Sequence, residues 1–313
     1  MKDLLKSHKK IIINTDIDGV LSGLILTNYL GCQIVGFSNS RDTVWLDKNN
    51  AASIYDATYI DMFVPNTKVP CIDQHIISVN ERHHQILFNN KIKINPNLEN
   101  PRFHLPNDSY YKKYPFVTIH FIIATLESEG FDIDLDLTKE INTLKFGDIL
   151  LRADDAMKTT VDSPYVDNAR SWWKWLQDKS GNSNCTNSMI QYLASLSPEA
   201  VSQTKHRTTQ LLTRHPFNCE KPDGGFKQIL NDSMFLLENV KNYFKLISEF
   251  ANLKCFNLEM ELTPFIGRAD RIQLNNSQID ELINTNKLNG QDLFSYAFVM
   301  SSNKAANFSY TIM

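Results

Sequence analysis

Two carboxylates one residue apart, Asp16 and Asp18, stand in the run 11–26, IIINTDIDGVLSGLIL. In an extended turn both can face the same way, and at that spacing they repel unless a cation neutralises them. Taken alone the turn also reads as an acidic helix cap, with Asp18 or Ser22 as N-cap. Two later sites change the balance. The short run after Asp56 ends in Asp61, and the run 69–72 ends in Asp73-Gln74-His75. Three apolar runs in the first quarter of the chain therefore each finish in acidic or imidazole side chains. Parallel strands of one sheet would gather those ends at one edge. That is the geometry of a two-metal site, where cations clamp a phosphoryl group and activate water.

The elements that must position these residues can be read outward from them. Ile11, Ile12 and Ile13 form a β-branched apolar run, so a short buried strand is expected before the acidic turn. Helical spacing resumes over 20–30 and stops at Gly31, and 33–38 reads as the next strand. The polar turn after it carries Arg41, placed to reach an anionic ligand or, as a lone turn arginine, simply solvated. Adjacent His83 and His84 close a polar segment and read as surface residues. Asn95-Pro96-Asn97 opens a polar, Pro-containing loop, after which Thr118 is expected to cap a helix, IHFIIATLE. A helix N-terminus there can also hold phosphate, which makes Thr118 a candidate substrate contact. Trp172 and Trp175 have helical spacing and are expected in the core.

These patterns predict an α/β fold with a parallel sheet flanked by helices, a helical linker and a second, smaller α/β domain. The expected boundaries are 1–180 for the first domain, 181–253 for the linker and 254–313 for the small domain. Net charge of −3 gives no general polyanion-binding signature and leans toward a small substrate over long nucleic acid. The five cysteines are scattered without a CxxC pair, which argues for a reducing compartment and against a zinc site. No apolar run approaches a membrane span, so a cytoplasmic protein without membrane contact is expected.

The motif order itself resembles the DHH phosphoesterase superfamily. DxDGxxSG after a strand, a lone Asp ending a later strand and then Asp-x-His match its first three motifs through Asp16, Asp18, Asp61 and Asp73-Gln74-His75. The family's fourth motif is an Asp after a helical segment. Asp154 is the choice here, with Asp148 and Asp155 as rivals. The four motifs cover roughly the first half of the chain. The resemblance implies metal ligation by Asp16, Asp18, Asp61 and Asp154, with manganese the expected ion and magnesium the alternative. It makes His75, oriented by Asp73, the catalytic contact to substrate phosphate. It implies a nucleotide-type substrate, a short oligonucleotide or cyclic dinucleotide, hydrolysed by activated water, and it leaves a homodimer open.

Two departures from the family stand out. Gln74 occupies the place of a metal-binding His and is carried forward as a weaker oxygen ligand. The Gly-rich GGGH motif that usually ends the family's second domain is missing, and the chain stops in a strand-like run at Met313. Either the gene is truncated or the second domain is reduced. Two other readings remain: a non-catalytic DHH-like module binding a nucleotide or protein, and a haloacid-dehalogenase-type phosphatase. In the latter DxDGVL would make Asp16 a covalent nucleophile.

Overall fold

The computed structural model describes residues 1–102, 112–135, 164–195, 197–220, 224–299 and 307–313. After a short helix α1 (Lys2–Ser7), strand β1 (Lys10–Asn14) leads through the acidic turn into α2 (Ile17–Leu30). Strands β2 (Gln33–Ser38), β3 (Thr43–Asp47), β4 (Thr58–Ile60) and β5 (Cys71–Ile72) follow. Then come α3 (Glu81–Asn89), β6 (Lys93–Ile94), α4 (Pro96–Glu99) and α5 (Thr118–Ser128). Helices α6 (Pro164–Lys179), α7 (Asn184–Ser195), α8 (Pro198–Leu212) and α9 (Glu238–Phe250) precede β7 (Leu262–Ile266) and β8 (Arg268–Ile272). The chain closes with α10 (Asn276–Thr285), β9 (Lys287–Leu288), β10 (Gln291–Asp292), β11 (Ser295–Phe298) and β12 (Phe308–Ile312).

Seven strands make one sheet in the order β6-β5-β4-β1-β2-β3-β7. From β6 to β2 all neighbours are parallel, whereas β3 runs antiparallel to both β2 and β7. The sheet is therefore mixed, and the expectation of a parallel sheet needs correcting at that side. The reason is length: the turn 39–42 is too short for a crossover, so β3 can only return as a hairpin. β7, from the segment assigned to a small second domain, adds to the same sheet beside β3.

The alternation of β1 explains why both faces are covered. Ile11 and Ile13 lie in a core with residues of α2, α5, α6 and α9, while Ile12 lies in a second core with Tyr59, Leu282, Tyr296 and Phe308. The second face is thus packed by α10 and by the antiparallel sheet β11-β12-β8 rather than by a further helical layer alone. α9 buries Val240, Tyr243, Phe244, Ile247 and Phe250, the stripe expected of an amphipathic helix, and Phe244 stacks on Phe37 of β2 at 5.2 Å. Trp172 and Trp173 are fully buried, and Trp175 is partly buried against the same core. Among the described residues no helix is long and apolar enough to cross a membrane.

One core residue carries a pH dependence. His120 of α5 is fully buried, with the rings of Phe116 and Trp173 at 5.7 and 5.6 Å, and burial pulls its pKa down to about 3. The folded protein keeps the ring neutral, whereas the unfolded chain protonates below about 6.5. Stability from this group is therefore whole above that pH and is lost as pH falls toward about 3, by about 2 kcal/mol at pH 5. His120→Phe should remove that slope. Urea denaturation should show the variant gaining on the parent at pH 5 but not at pH 8, and parallel curves would contradict it.

Candidate active site

The strand order reverses at β1: the chain moves to β2 on one side, then returns to place β4 on the other. In open α/β sheets the crevice at the carboxyl ends of such strands is the usual ligand site. Asp16 follows β1, Asp61 follows β4 and Asp73 follows β5 at that edge.

The acidic turn is built by close packing. Asp16 is the N-cap of α2, its Oδ1 accepting from Gly19 N at 3.0 Å. A Cβ on Gly19 would stand 2.5 Å from Asn14 O and 2.7 Å from Asn14 N. The glycine of DxDG is therefore required by the approach of helix to strand. Gly19→Ala must push backbone apart, with an expected stability loss of about 1–3 kcal/mol and a displaced Asp18. Chemical denaturation checks the cost, and an unchanged midpoint would contradict this account of the turn.

Asp18 is buried and reaches across to α5. Its Oδ2 accepts from Thr118 N and its Oδ1 from Ile119 N, both at 2.8 Å, with Ser22 Oγ donating at 3.4 Å. Asp18 thus caps α5, and the expectation that Thr118 caps it is corrected: the helix begins at Thr118 and its N-cap Val117 offers no side-chain bond. A carboxylate from another element serves better because it meets two free N–H groups and the positive helix end. The Thr118 hydroxyl donates instead to Asp61 Oδ1 at 2.6 Å. Thr118 is fully buried, so it positions Asp61 rather than presenting a free surface hydroxyl.

Asp61 adopts a left-handed backbone, φ 62°, as it turns its buried side chain into the crevice. Asn14 Nδ2 donates to both its Oδ2, at 2.9 Å, and its carbonyl, at 2.6 Å. Asn14 Oδ1 is buried with no hydrogen-bond partner among the described residues. Burial raises the Asp18 carboxyl well above the usual range, and the Asp61 and Asp16 charges add to it. Burial, then the Asp16 charge, pushes Asp61 up to about 7.

The third strand end is braced by asparagines. Asp73 Oδ1 accepts from the backbone N–H of His75 and lies 3.2 Å from His75 Nδ1; its Oδ2 accepts from Asn95 Nδ2 at 3.0 Å. His75 Nδ1 is 3.8 Å from Asp61 Oδ1, which ties this end to the others. Asn97 Nδ2 donates to the carbonyls of Gln74 and Ile76, and Gln74 Nε2 lies 3.0 Å from His75 Nε2. Asn95 and Asn97, read from sequence as the start of a loop, are buried supports of the site.

A fourth contributor arrives from the segment between α8 and α9. Gly224 bridges to Asp16, and Phe226 N donates to Thr15 Oγ1 at 3.3 Å. Gly224 has φ 86°, and a Cβ there would stand 2.2 Å from Tyr243 Oη. The Pro-Asp-Gly-Gly run 222–225 was the available signal for a tight turn.

Asp16, Asp18, Asp61, Asp73, Gln74, His75 and Thr118 thus belong to one edge. Arg41 lies in the exposed turn after β2, lining a hollow of about 530 Å³ with Asn39, Asp270 and Arg271. Asp154, and its rivals Asp148 and Asp155, lie outside the described residues. His83 and His84 are not surface residues: both are buried on α3, and His83 Nδ1 accepts from Val79 N at 3.1 Å. The helix turns both inward, which a polar neighbourhood in sequence conceals.

Among the described residues no three His, Cys, Asp or Glu side chains stand as a group that could hold a metal ion. Asp18 and Asp61 direct their oxygens to Thr118, Ile119 and Asn14. The donor chemistry nevertheless fits a hard divalent cation. The donors are oxygens, two buried carboxyls are held protonation-prone by burial and mutual charge, and Asn14 Oδ1 lacks a partner among the described residues. In comparisons with known proteins, the chain matches no family model, no curated protein and no solved structure.

Proposed function

We propose that the chain is a divalent-metal-dependent phosphoesterase or phosphodiesterase acting on a nucleotide-type substrate, a short oligonucleotide or cyclic dinucleotide. The observation that carries this reading is the convergence of Asp16, Asp18 and Asp61 with the Asp73–His75 pair at one strand-order reversal. Asp16, Asp18 and Asp61, with Asn14 Oδ1, would hold manganese or magnesium, and Asp154 is the further ligand proposed from the motif order. A bound ion supplies Lewis acidity and lowers the pKa of water for attack on phosphorus. The chain's own residues do the remaining work. Thr118 and Asn14 fix the Asp61 carboxyl, Asp73 orients His75, and the half-exposed imidazole addresses the reacting phosphate from the rim.

The protein donors already satisfying Asp18 and Asp61 favour a second reading, a non-catalytic module that binds a nucleotide or a protein partner. Calorimetry with manganese separates the two. The enzyme reading expects binding by the parent that Asp16→Asn weakens at least about tenfold, whereas no binding in either would favour the module. Beryllium fluoride trapping covers the remaining chemistry, since an aspartyl adduct at Asp16 would replace the metal mechanism by a covalent one.

A further inference from the structure

We infer that Gln74 serves His75 and not a metal: its amide N–H occupies the Nε2 lone pair of His75 and closes a hydrogen-bonded series that runs Asn95, Asp73, His75, Gln74. Asn95 anchors the buried end of that series by donating to Asp73 Oδ2 at 3.0 Å.

The atoms allow one proton arrangement for an uncharged ring. Asp73 Oδ1 already accepts the backbone N–H of His75 and faces Nδ1 at 3.2 Å, so the ring proton sits on Nδ1. Nε2 is then an acceptor, and Gln74 Nε2 meets it at 3.0 Å as donor. Gln74 is held for this role from behind, since Asn97 Nδ2 donates to its carbonyl at 3.0 Å and to that of Ile76 at 3.1 Å. This makes the exposed end of His75 an acceptor, opposite in polarity to a residue that donates to phosphoryl oxygens. Gln74 is a positioning residue in this account, and its amide must swing aside before anything else uses Nε2. The consequence for turnover rests on the proposed phosphoesterase reading, but the contact itself can be tested without it.

Diethylpyrocarbonate acylates an imidazole through its unprotonated nitrogen, so a blocked Nε2 reacts slowly. Peptide mass spectrometry would follow acylation of His75 in the parent, Gln74→Met and Gln74→Asn, with exposed His8 as the reference in each sample. Both variants should acylate His75 severalfold faster than the parent while His8 keeps its rate. Two variants guard against one that misfolds, and circular dichroism confirms that each is folded. In parallel, manganese affinity should stay within about twofold, where loss of a supporting or direct ligand typically costs roughly 10–100-fold or more. Unchanged His75 acylation in both folded variants would overturn the inference, as would a large loss of manganese affinity. If the parent binds no manganese, the phosphoesterase reading fails and the acylation rates still decide the role of Gln74.

Discussion

Asp61→Asn should abolish turnover and yet make the metal-free protein more stable, by about 2–4 kcal/mol at pH 8. Burial, followed by the charge on Asp16, pushes the Asp61 carboxyl up to about 7. A carboxyl raised by folding contributes no penalty below its ordinary value near 4. The penalty grows as pH rises and is complete once pH has passed about 7. Asparagine carries no charge and tolerates the left-handed backbone at φ 62°. Its oxygen can accept from Asn14 Nδ2, and its amide can donate to a Thr118 hydroxyl rotated to accept. Urea denaturation in EDTA should show the gain at pH 8 and little of it at pH 4. A variant no more stable than the parent at pH 8 would contradict the burial of a repelling carboxyl pair. Manganese at about 1,000 times its Kd should cancel that gain, because it adds about 4.1 kcal/mol to the parent alone.

Asn14→Asp should have the opposite and larger effect. Asn14 gives Asp61 two hydrogen bonds, and an aspartate there would remove both donors and set a further carboxylate among Asp16, Asp18 and Asp61. An uncompensated buried charge costs about 3–5 kcal/mol, enough to leave a marginal protein largely unfolded without a cation. Added manganese should recover much of the loss, since the new carboxylate is a better ligand than an amide oxygen. Thermal melts of parent and variant with EDTA and with manganese test this. Equal destabilisation under both conditions would mean that no cation gathers at this edge.

What the sequence made legible was local. Three isoleucines, an acidic turn and a glycine at 19 specify strand, turn and helix in one short stretch, and the structure places that unit at the centre of the sheet. Asp61 and Asp73 were legible for the same reason, as acids that terminate short apolar runs. What supports them was not. Asn14, Asn95, Asn97 and Thr118 act on carboxylates 22 to 57 positions away, or on carbonyls 21 and 23 away, and their types alone also suit turns and caps. Asp18 shows the same limit from the other side: its partners are the first N–H groups of a helix a hundred residues later. β3 and β7 depended on pairing across the edge of the sheet, and His83 and His84 on which face of α3 turns inward.

Hydrolysis of a dinucleotide, followed by chromatography with manganese present and again with excess EDTA, tests the central claim most directly. The account predicts turnover by the parent that needs the ion and is lost at least about 100-fold in Asp16→Asn, as expected for removal of a group that acts on the transition state. Turnover that survives both EDTA and Asp16→Asn would contradict it.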